Sequence, residues 1–106
     1  MNDFTIVGRL DSVMPLEETS TGIKVINFIV SVERPFKSNQ TFDDFRITAF
    51  KELAEAIASS KPVGSTILVK GRLQSNNYRK DDKGYYSPER LADKVLYIKG
   101  QGKGKG

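Results

Sequence analysis

Aromatic and cationic side chains stand close together at several points of this sequence. An aromatic ring can stack against a nucleobase, which contributes about 1–3 kcal/mol per base, while lysine and arginine meet the phosphates. The residues with this potential chemistry are Arg34, Phe36, Lys37, Arg46, Phe50, Lys70, Arg72, Tyr78, Arg79, Lys80 and Tyr86. Their interleaving predicts a surface that binds a single strand of nucleic acid.

The composition gives little support to catalytic or metal chemistry. The chain has no cysteine and no histidine, which excludes disulfides and thiolate or imidazole zinc sites and removes the commonest general base. Asp43 and Asp44 are adjacent on a predicted strand, so their side chains point to opposite faces and cannot easily share a metal. Residues 100–106 superficially resemble a phosphate-binding loop, but no strand-to-helix transition follows them. We therefore expect no enzyme activity, no metal and no cofactor.

The net charge of +4 and the isoelectric point near 9.4 are compatible with a polyanionic partner. No apolar run approaches the ~20 residues that a membrane helix needs. The first residues lack the basic patch and the apolar stretch of a secretory signal. We expect a cytoplasmic protein without a membrane partner.

Six segments have the periodicity of regular secondary structure. Strands are predicted at residues 4–10, 24–33, 42–50, 66–74 and 91–98, and a helix at residues 51–60. A charged hairpin loop with a turn at residues 82–84 joins the last two strands. Five strands with one short helix between the third and the fourth are typical of the OB fold, a Greek-key barrel within the all-β class. We expect residues 1–99 to form this domain and residues 100–106 to be a flexible Lys/Gly tail.

Alternation within the strands separates an inner from an outer face. The inward set is apolar and includes Phe28, Val30, Phe45, Ile47, Ala49, Ile67, Val69 and Leu73. Arg46 and Phe50 lie four residues apart and leave the same outer side of one strand. Lys70 and Arg72 leave the outer side of another strand. The outer faces therefore carry the candidate binding residues.

Several of these residues also have a purely structural interpretation. Phe36 could close the end of the barrel, and Phe50 could pack under the helix at the strand–helix junction. Tyr86 lies beside a turn and could form a cross-strand packing pair. Arg46 and Arg72 could belong to a solvated charged face. The sequence alone leaves these alternatives open.

Four segments carry a likeness that goes beyond the strand pattern. They are residues 6–10 (IVGRL), 27–37 (NFIVSVERPFK), 45–55 (FRITAFKELAE) and 69–74 (VKGRLQ), the last followed by Asn77 and Tyr78. In this order the chain resembles the bacterial and phage single-stranded DNA-binding protein family. The resemblance runs from residue 4 to residue 98, which is essentially the whole predicted barrel.

The resemblance implies a homo-oligomer, a tetramer or a dimer, that binds single-stranded DNA during replication, recombination and repair. It implies stacking roles for Phe36, Phe50 and Tyr78 and a basic role for Arg46. A further stacking aromatic of the family would fall near Asp44, or on Phe45 if the alignment shifts by one residue. The chain departs from the family at that position.

The end of the chain is a second departure from the family. Cellular members carry a Gly/Gln/Pro-rich linker that ends in an acidic tip recruiting replication enzymes, whereas this sequence ends in a basic Lys/Gly segment. We expect either a trimmed domain or a phage-type version. Because the acidic tip is absent from this sequence, the sequence does not decide whether host replication proteins are partners.

Two other functions use the same fold. A primosomal or RNA-binding OB protein would present a similar cationic and aromatic face. An OB module for protein docking would instead pair a partner with an edge strand.

Overall fold

The computed structural model describes residues 2–34, 41–60, 63–75, 78–80, 83–85 and 88–99, with the backbone alone at residues 75, 78–80, 83–85, 88 and 99. The elements are β1 (Phe4–Val13), β2 (Glu17–Glu18), β3 (Lys24–Glu33), β4 (Phe42–Phe50), α1 (Lys51–Ser60), β5 (Thr66–Ser75), β6 (Tyr78–Lys80), β7 (Lys83–Tyr85) and β8 (Pro88–Lys99). The predicted bounds of β3, β4 and α1 agree with these.

Five of the strands close a barrel. Around it the order is β1, β5, β8, β4 and β3, and β3 pairs back with β1. The pairs are antiparallel except β4 and β8, which meet in parallel at Thr48 and Leu91. The two-residue strand β2 extends the sheet beyond β3, and β6 with β7 forms a separate two-stranded sheet. This order, with α1 between the third and fourth barrel strands, confirms the predicted OB fold.

Alternating apolar side chains of β3 and β4 fill the barrel. Phe28 of β3 lies opposite Ile47 of β4, and both side chains are fully buried. Ile57 of α1 is also buried and contacts the same apolar space as Phe28 and Leu10, so the helix closes one end of the barrel. The outward side chains of β4 are thereby held on a strand whose other face is locked into the core.

The first strand is longer than predicted. β1 pairs with β5 from Phe4 to Arg9 and with β3 from Arg9 to Val13. The register with β3 shifts between Leu10 and Ser12, and such an irregularity bends the strand from one neighbour to the next. The Asp, Ser and Thr residues of segment 11–22, with Pro15 and Gly22, predict a loop, and this prediction is wrong for residues 11–13, which continue β1, and for residues 17–18, which form β2.

The prediction that Leu73 points into the core is wrong, since 46% of its surface is exposed. β1 begins at Phe4, opposite Gly71, so β5 runs past the end of its neighbour. At Leu73 the backbone instead exchanges two hydrogen bonds with the side-chain amide of Asn2, at 2.5 and 2.7 Å. Its side chain therefore has no opposing apolar strand to pack against on that side.

The hairpin between β5 and β8 turns earlier than predicted. Lys80 pairs with Lys83 and Arg79 pairs with Gly84, so Lys83 and Gly84 belong to β7 and not to a turn. β8 then starts at Pro88, opposite Ser75, and is longer than predicted at its beginning.

Gly71 is required by the close approach of β5 and β8. A Cβ atom at this position would overlap the carbonyl oxygen of Leu91 and lie 3.0 Å from the Phe4 ring. The register of the two strands also shifts next to it, between Lys70 and Gly71.

We expect Gly71→Ala to destabilise the fold by about 1–3 kcal/mol, because backbone must move to admit the methyl group. Urea unfolding would measure this change. Gln74→Ala, an exposed position on the same strand, serves as the control and should leave the unfolding midpoint nearly unchanged. A Gly71→Ala variant as stable as the unmodified protein would contradict the close approach.

Candidate nucleic-acid interface

β4 presents a row of outward side chains, which we call the β4 row. Its members are Phe42, Asp44, Arg46, Thr48 and Phe50. Phe42 is 50% exposed and Phe50 is 38% exposed, and Arg46 between them is exposed as well. Two aromatic surfaces thus flank a cation on one face of one strand.

Hydrogen bonds to β3 brace the β4 row from the side. Thr48 Oγ1 donates to Asn27 Oδ1 at 2.7 Å, and Ser31 Oγ donates to Asp44 Oδ1 at 2.6 Å. Both bonds join residues that lie directly opposite in the β3–β4 register. The polar members of the row are therefore held in place before any ligand arrives.

A groove of about 480 Å³ opens at the Phe50 end of the row. Phe50 and Lys51 line one part of it, and Arg72 and Asp93 line another. Arg72 is on β5 and Phe50 ends β4, so the barrel brings together an aromatic ring and a cation that are distant in sequence. A planar base could lie against the ring while its phosphate meets Arg72.

Lys51 has a backbone φ of 59°, in the left-handed region. A non-glycine residue in this region costs about 1–2 kcal/mol. The strained residue turns the chain from β4 into α1 directly after Phe50, and Lys51 is among the residues that line the groove. Sequence analysis missed Lys51 as a candidate, and its position next to Phe50 was the available signal.

Phe42 and Lys94 were also missed. Phe42 starts the β4 row, and the alternation of that strand was the signal for it. Lys94 lies directly opposite Lys70 in the β5–β8 register, and both are exposed. Like charges that face each other across strands are destabilising, so an anion beside this pair would be favourable.

Arg72 already has an acidic neighbour. Its Nη1 atom lies 3.3 Å from Asp93 Oδ1, and both side chains are more than half exposed. Exposed pairs of this kind contribute about 0–1 kcal/mol. Arg72 can therefore exchange Asp93 for a phosphate at small cost.

Arg34 lies away from the groove. Its Nη2 atom is 2.7 Å from Asp43 Oδ1, and its Nε donates to the same oxygen at 2.9 Å. This hydrogen bond lowers the pKa of Asp43 and raises the pKa of Arg34 from their ordinary values. Asp43 lies opposite Val32, seven ladder positions from the Val25–Phe50 pair. Arg34 therefore lies at the end of β4 that is remote from Phe50 and the groove.

Phe45 does not belong to the β4 row. It packs against the core from the inward side, and the Arg90 guanidinium lies over its ring, 5.1 Å from the ring centre. The position that the family resemblance assigns to a further stacking aromatic is thus occupied outside by Asp44 and inside by Phe45.

The remaining candidate residues lie outside the described residues or have only their backbone described. Phe36, Lys37 and Tyr86 lie outside the described residues. For Tyr78, Arg79 and Lys80 the structure describes the backbone of β6, paired with β7, and their side chains are outside it.

Within the described ranges, no group of three or more acidic, histidine or cysteine side chains could hold a metal ion. The described part of the chain also contains no helix that is long and apolar enough to cross a membrane.

The similarity to known proteins extends over the whole barrel. The family described as "Single-strand binding protein family" matches residues 1–98. A Listeria innocua protein named single-stranded DNA-binding protein 3 is 34% identical over all of this chain and 69% of its own length. An Oceanobacillus iheyensis single-stranded DNA-binding protein is 33% identical over 96% of this chain and 66% of its own length. The chain thus spans about two thirds of the length of these relatives.

A solved structure has the same fold. The small single-stranded DNA-binding protein from Streptomyces coelicolor superposes with a TM-score of 0.65 at 18% identity, covering 91% of this chain and 93% of its own. The match over residues 1–98 and the identity to the curated relatives show that this chain belongs to the single-strand binding protein family.

Proposed function

We propose that this chain binds single-stranded DNA with little dependence on sequence. The groove where the exposed Phe50 ring meets the cations of Lys51 and Arg72 is the observation that carries the proposal. A base stacks on the ring and the neighbouring phosphates contact the cations. Family membership and the names of the relatives support the same reading.

Strandedness is the basis of selection in this proposal. The face of a base is available to Phe50 only when the base is not already stacked between two others in a duplex. Every base offers such a face, so stacking tolerates all sequences. The protein would therefore coat and protect single strands and act as a binder, not as an enzyme, in replication, recombination and repair.

Three further features belong to the proposal. Residues 1–99 act as the binding domain, and the lysines of residues 100–106 add diffuse attraction for the DNA. The protein acts in the cytoplasm, where replicating bacterial or phage DNA lies. Phe36 and Tyr78 also stack on bases, as the family resemblance implies.

A homo-oligomer is also proposed. Val7, Leu68 and Leu96 lie side by side across β1, β5 and β8, and Val7 and Leu96 are each 46% exposed. Ile98, 55% exposed, follows on β8 at the register shift between the Ile67–Tyr97 and Thr66–Lys99 pairs. An apolar surface shared by three strands would be covered by a second copy of the chain in a dimer or a tetramer.

The binding face is tested by fluorescence anisotropy of labelled oligo-dT at two salt concentrations. Phe50→Ala should weaken binding by about 5- to 150-fold, the equivalent of about 1–3 kcal/mol of lost stacking. Tyr78→Ala should weaken it in the same direction. Arg46→Ala should also reduce the slope of log K against log salt by about one unit.

Tyr97→Ala is the matched control, because it removes a half-exposed ring from the α1 side of the barrel, where Tyr97 bonds Ser60. A duplex competitor should fail to displace the labelled strand. Equal affinity in Phe50→Ala, Arg46→Ala and Tyr78→Ala would refute the proposed face. Tighter binding of oligo-U RNA than of oligo-dU would favour the RNA-binding alternative, and binding to neither would favour protein docking.

Asp93→Asn should raise the affinity for oligo-dT by about two- to fivefold, since Arg72 no longer has to give up an acidic neighbour. Asp11→Asn on β1 makes the same change in net charge and controls for it. The same anisotropy assay measures both variants. No gain beyond that of Asp11→Asn would show that the Arg72–Asp93 pair does not compete with DNA.

Leu96→Lys should lower the mass of the particle in solution, because a charge in the apolar surface opposes its burial. Light scattering after size exclusion measures this, with Val63→Lys as the control at an exposed loop position. A monomeric unmodified protein, or an unchanged mass for Leu96→Lys, would contradict association through this surface.

A further inference from the structure

The two ends of the β4 row differ in charge. Lys51 and Arg72 supply cations at the Phe50 end, and Arg46 lies in the middle of the row, between Asp44 and Thr48. At the opposite end, Asp44 follows Phe42 in the row, and Glu33 lies opposite Phe42 on β3. The groove at the Phe50 end is thus lined by cations together with the carboxylates Glu52 and Asp93, whereas Asp44 and Glu33, the nearest described charged neighbours of Phe42 on this face, are both carboxylates.

Asp44 is held in a fixed position. Ser31 Oγ donates to its Oδ1 atom at 2.6 Å. Ser31 itself is buried, with 8% of its surface exposed, so the donor is anchored in the barrel wall. Asp44 is exposed, and its second carboxylate oxygen can accept a further hydrogen bond from outside.

A carboxylate on a DNA-binding face repels phosphate, so a contact that favours it must come from a hydrogen-bond donor on a base. Cytosine, adenine and guanine carry an exocyclic amino group that donates, and carboxylates accept from the amino group of cytosine. Thymine and uracil offer only the ring N3–H, which is flanked by two carbonyl oxygens that repel a carboxylate.

The geometry of the strand places this acceptor beside a stacking surface. Residues two apart on one face of a strand are about 7 Å apart, so a base stacked on the half-exposed Phe42 ring would present its edge to Asp44. We propose that Asp44 gives the binding face a preference for bases with an exocyclic amino group, cytosine before uracil or thymine among the pyrimidines. This inference rests on the proposed binding of single-stranded DNA and adds a bias to it.

Oligo-dC and oligo-dU of equal length provide the sharpest comparison, because their bases differ only on the edge that would face Asp44. Affinities are measured by anisotropy at pH 8. The unmodified protein should bind oligo-dC about tenfold more tightly than oligo-dU, as one well-placed hydrogen bond predicts. Asp44→Ala should bring the ratio close to one, mainly by strengthening the binding of oligo-dU.

Glu55→Ala is the matched control, since it removes an exposed carboxylate from α1 and should leave the oligo-dC to oligo-dU ratio unchanged. Asp44→Asn, which keeps an acceptor oxygen without the charge, should retain part of the preference. Circular dichroism confirms that each variant is folded.

The outcomes separate the two proposals. If the unmodified protein binds both oligonucleotides equally, or if Asp44→Ala tightens both by the same factor, Asp44 acts only through its charge and the inference is wrong. If neither oligonucleotide is bound, the proposed function itself is wrong.

Discussion

The ladder between β3 and β4 is the interaction on which the rest of the structure depends. Nine residue pairs, from Val25–Phe50 to Glu33–Phe42, hold the two strands in one register. Because Phe28 and Ile47 are fully buried within it, a slip by one residue would send the whole apolar set outward. The same register therefore keeps Phe42, Asp44, Arg46, Thr48 and Phe50 on the outer face.

The candidate binding surface combines weak, exchangeable ion pairs with this rigid ladder. The ion pairs of Arg34 and Arg72 are exposed and therefore weak, so they orient the two guanidinium groups while leaving them able to exchange their carboxylate partners for another anion. The hydrogen-bonded pairs Thr48–Asn27 and Ser31–Asp44 are partly buried, so they fix the polar members of the row in position. Polar side chains held in fixed positions, together with cations that can change partners, are suited to binding a flexible polyanion.

Sequence reasoning succeeded where the information lies within one segment. The alternation in β3 and β4 and the helical period of α1 gave their bounds, because each pattern is visible in a short window. It failed where the answer depends on two distant segments. The exposure of Leu73 follows from where β1 begins, and the groove follows from the approach of β5 and β8 to the end of β4.

The candidate site shows the same division. Arg46 and Phe50 could be placed on one outer face from their spacing alone. Other pairs depend on the register between strands, which the pattern of a single strand cannot predict. They are Arg72 with Asp93, Lys70 with Lys94, and Ser31 with Asp44. The left-handed backbone of Lys51 has no sequence signal, because lysine seldom adopts it.

The short strand β2 affects how copies of the protein would behave when they bind side by side along one DNA strand. It ends the six-stranded sheet of the described chain, where its outer side offers backbone groups to any neighbour. That strand consists of Glu17 and Glu18, both exposed, and brevity with charge discourages sheet-to-sheet fusion. Copies aligned at high local concentration along one strand of DNA would repel each other at this edge, so dense coverage need not lead to aggregation.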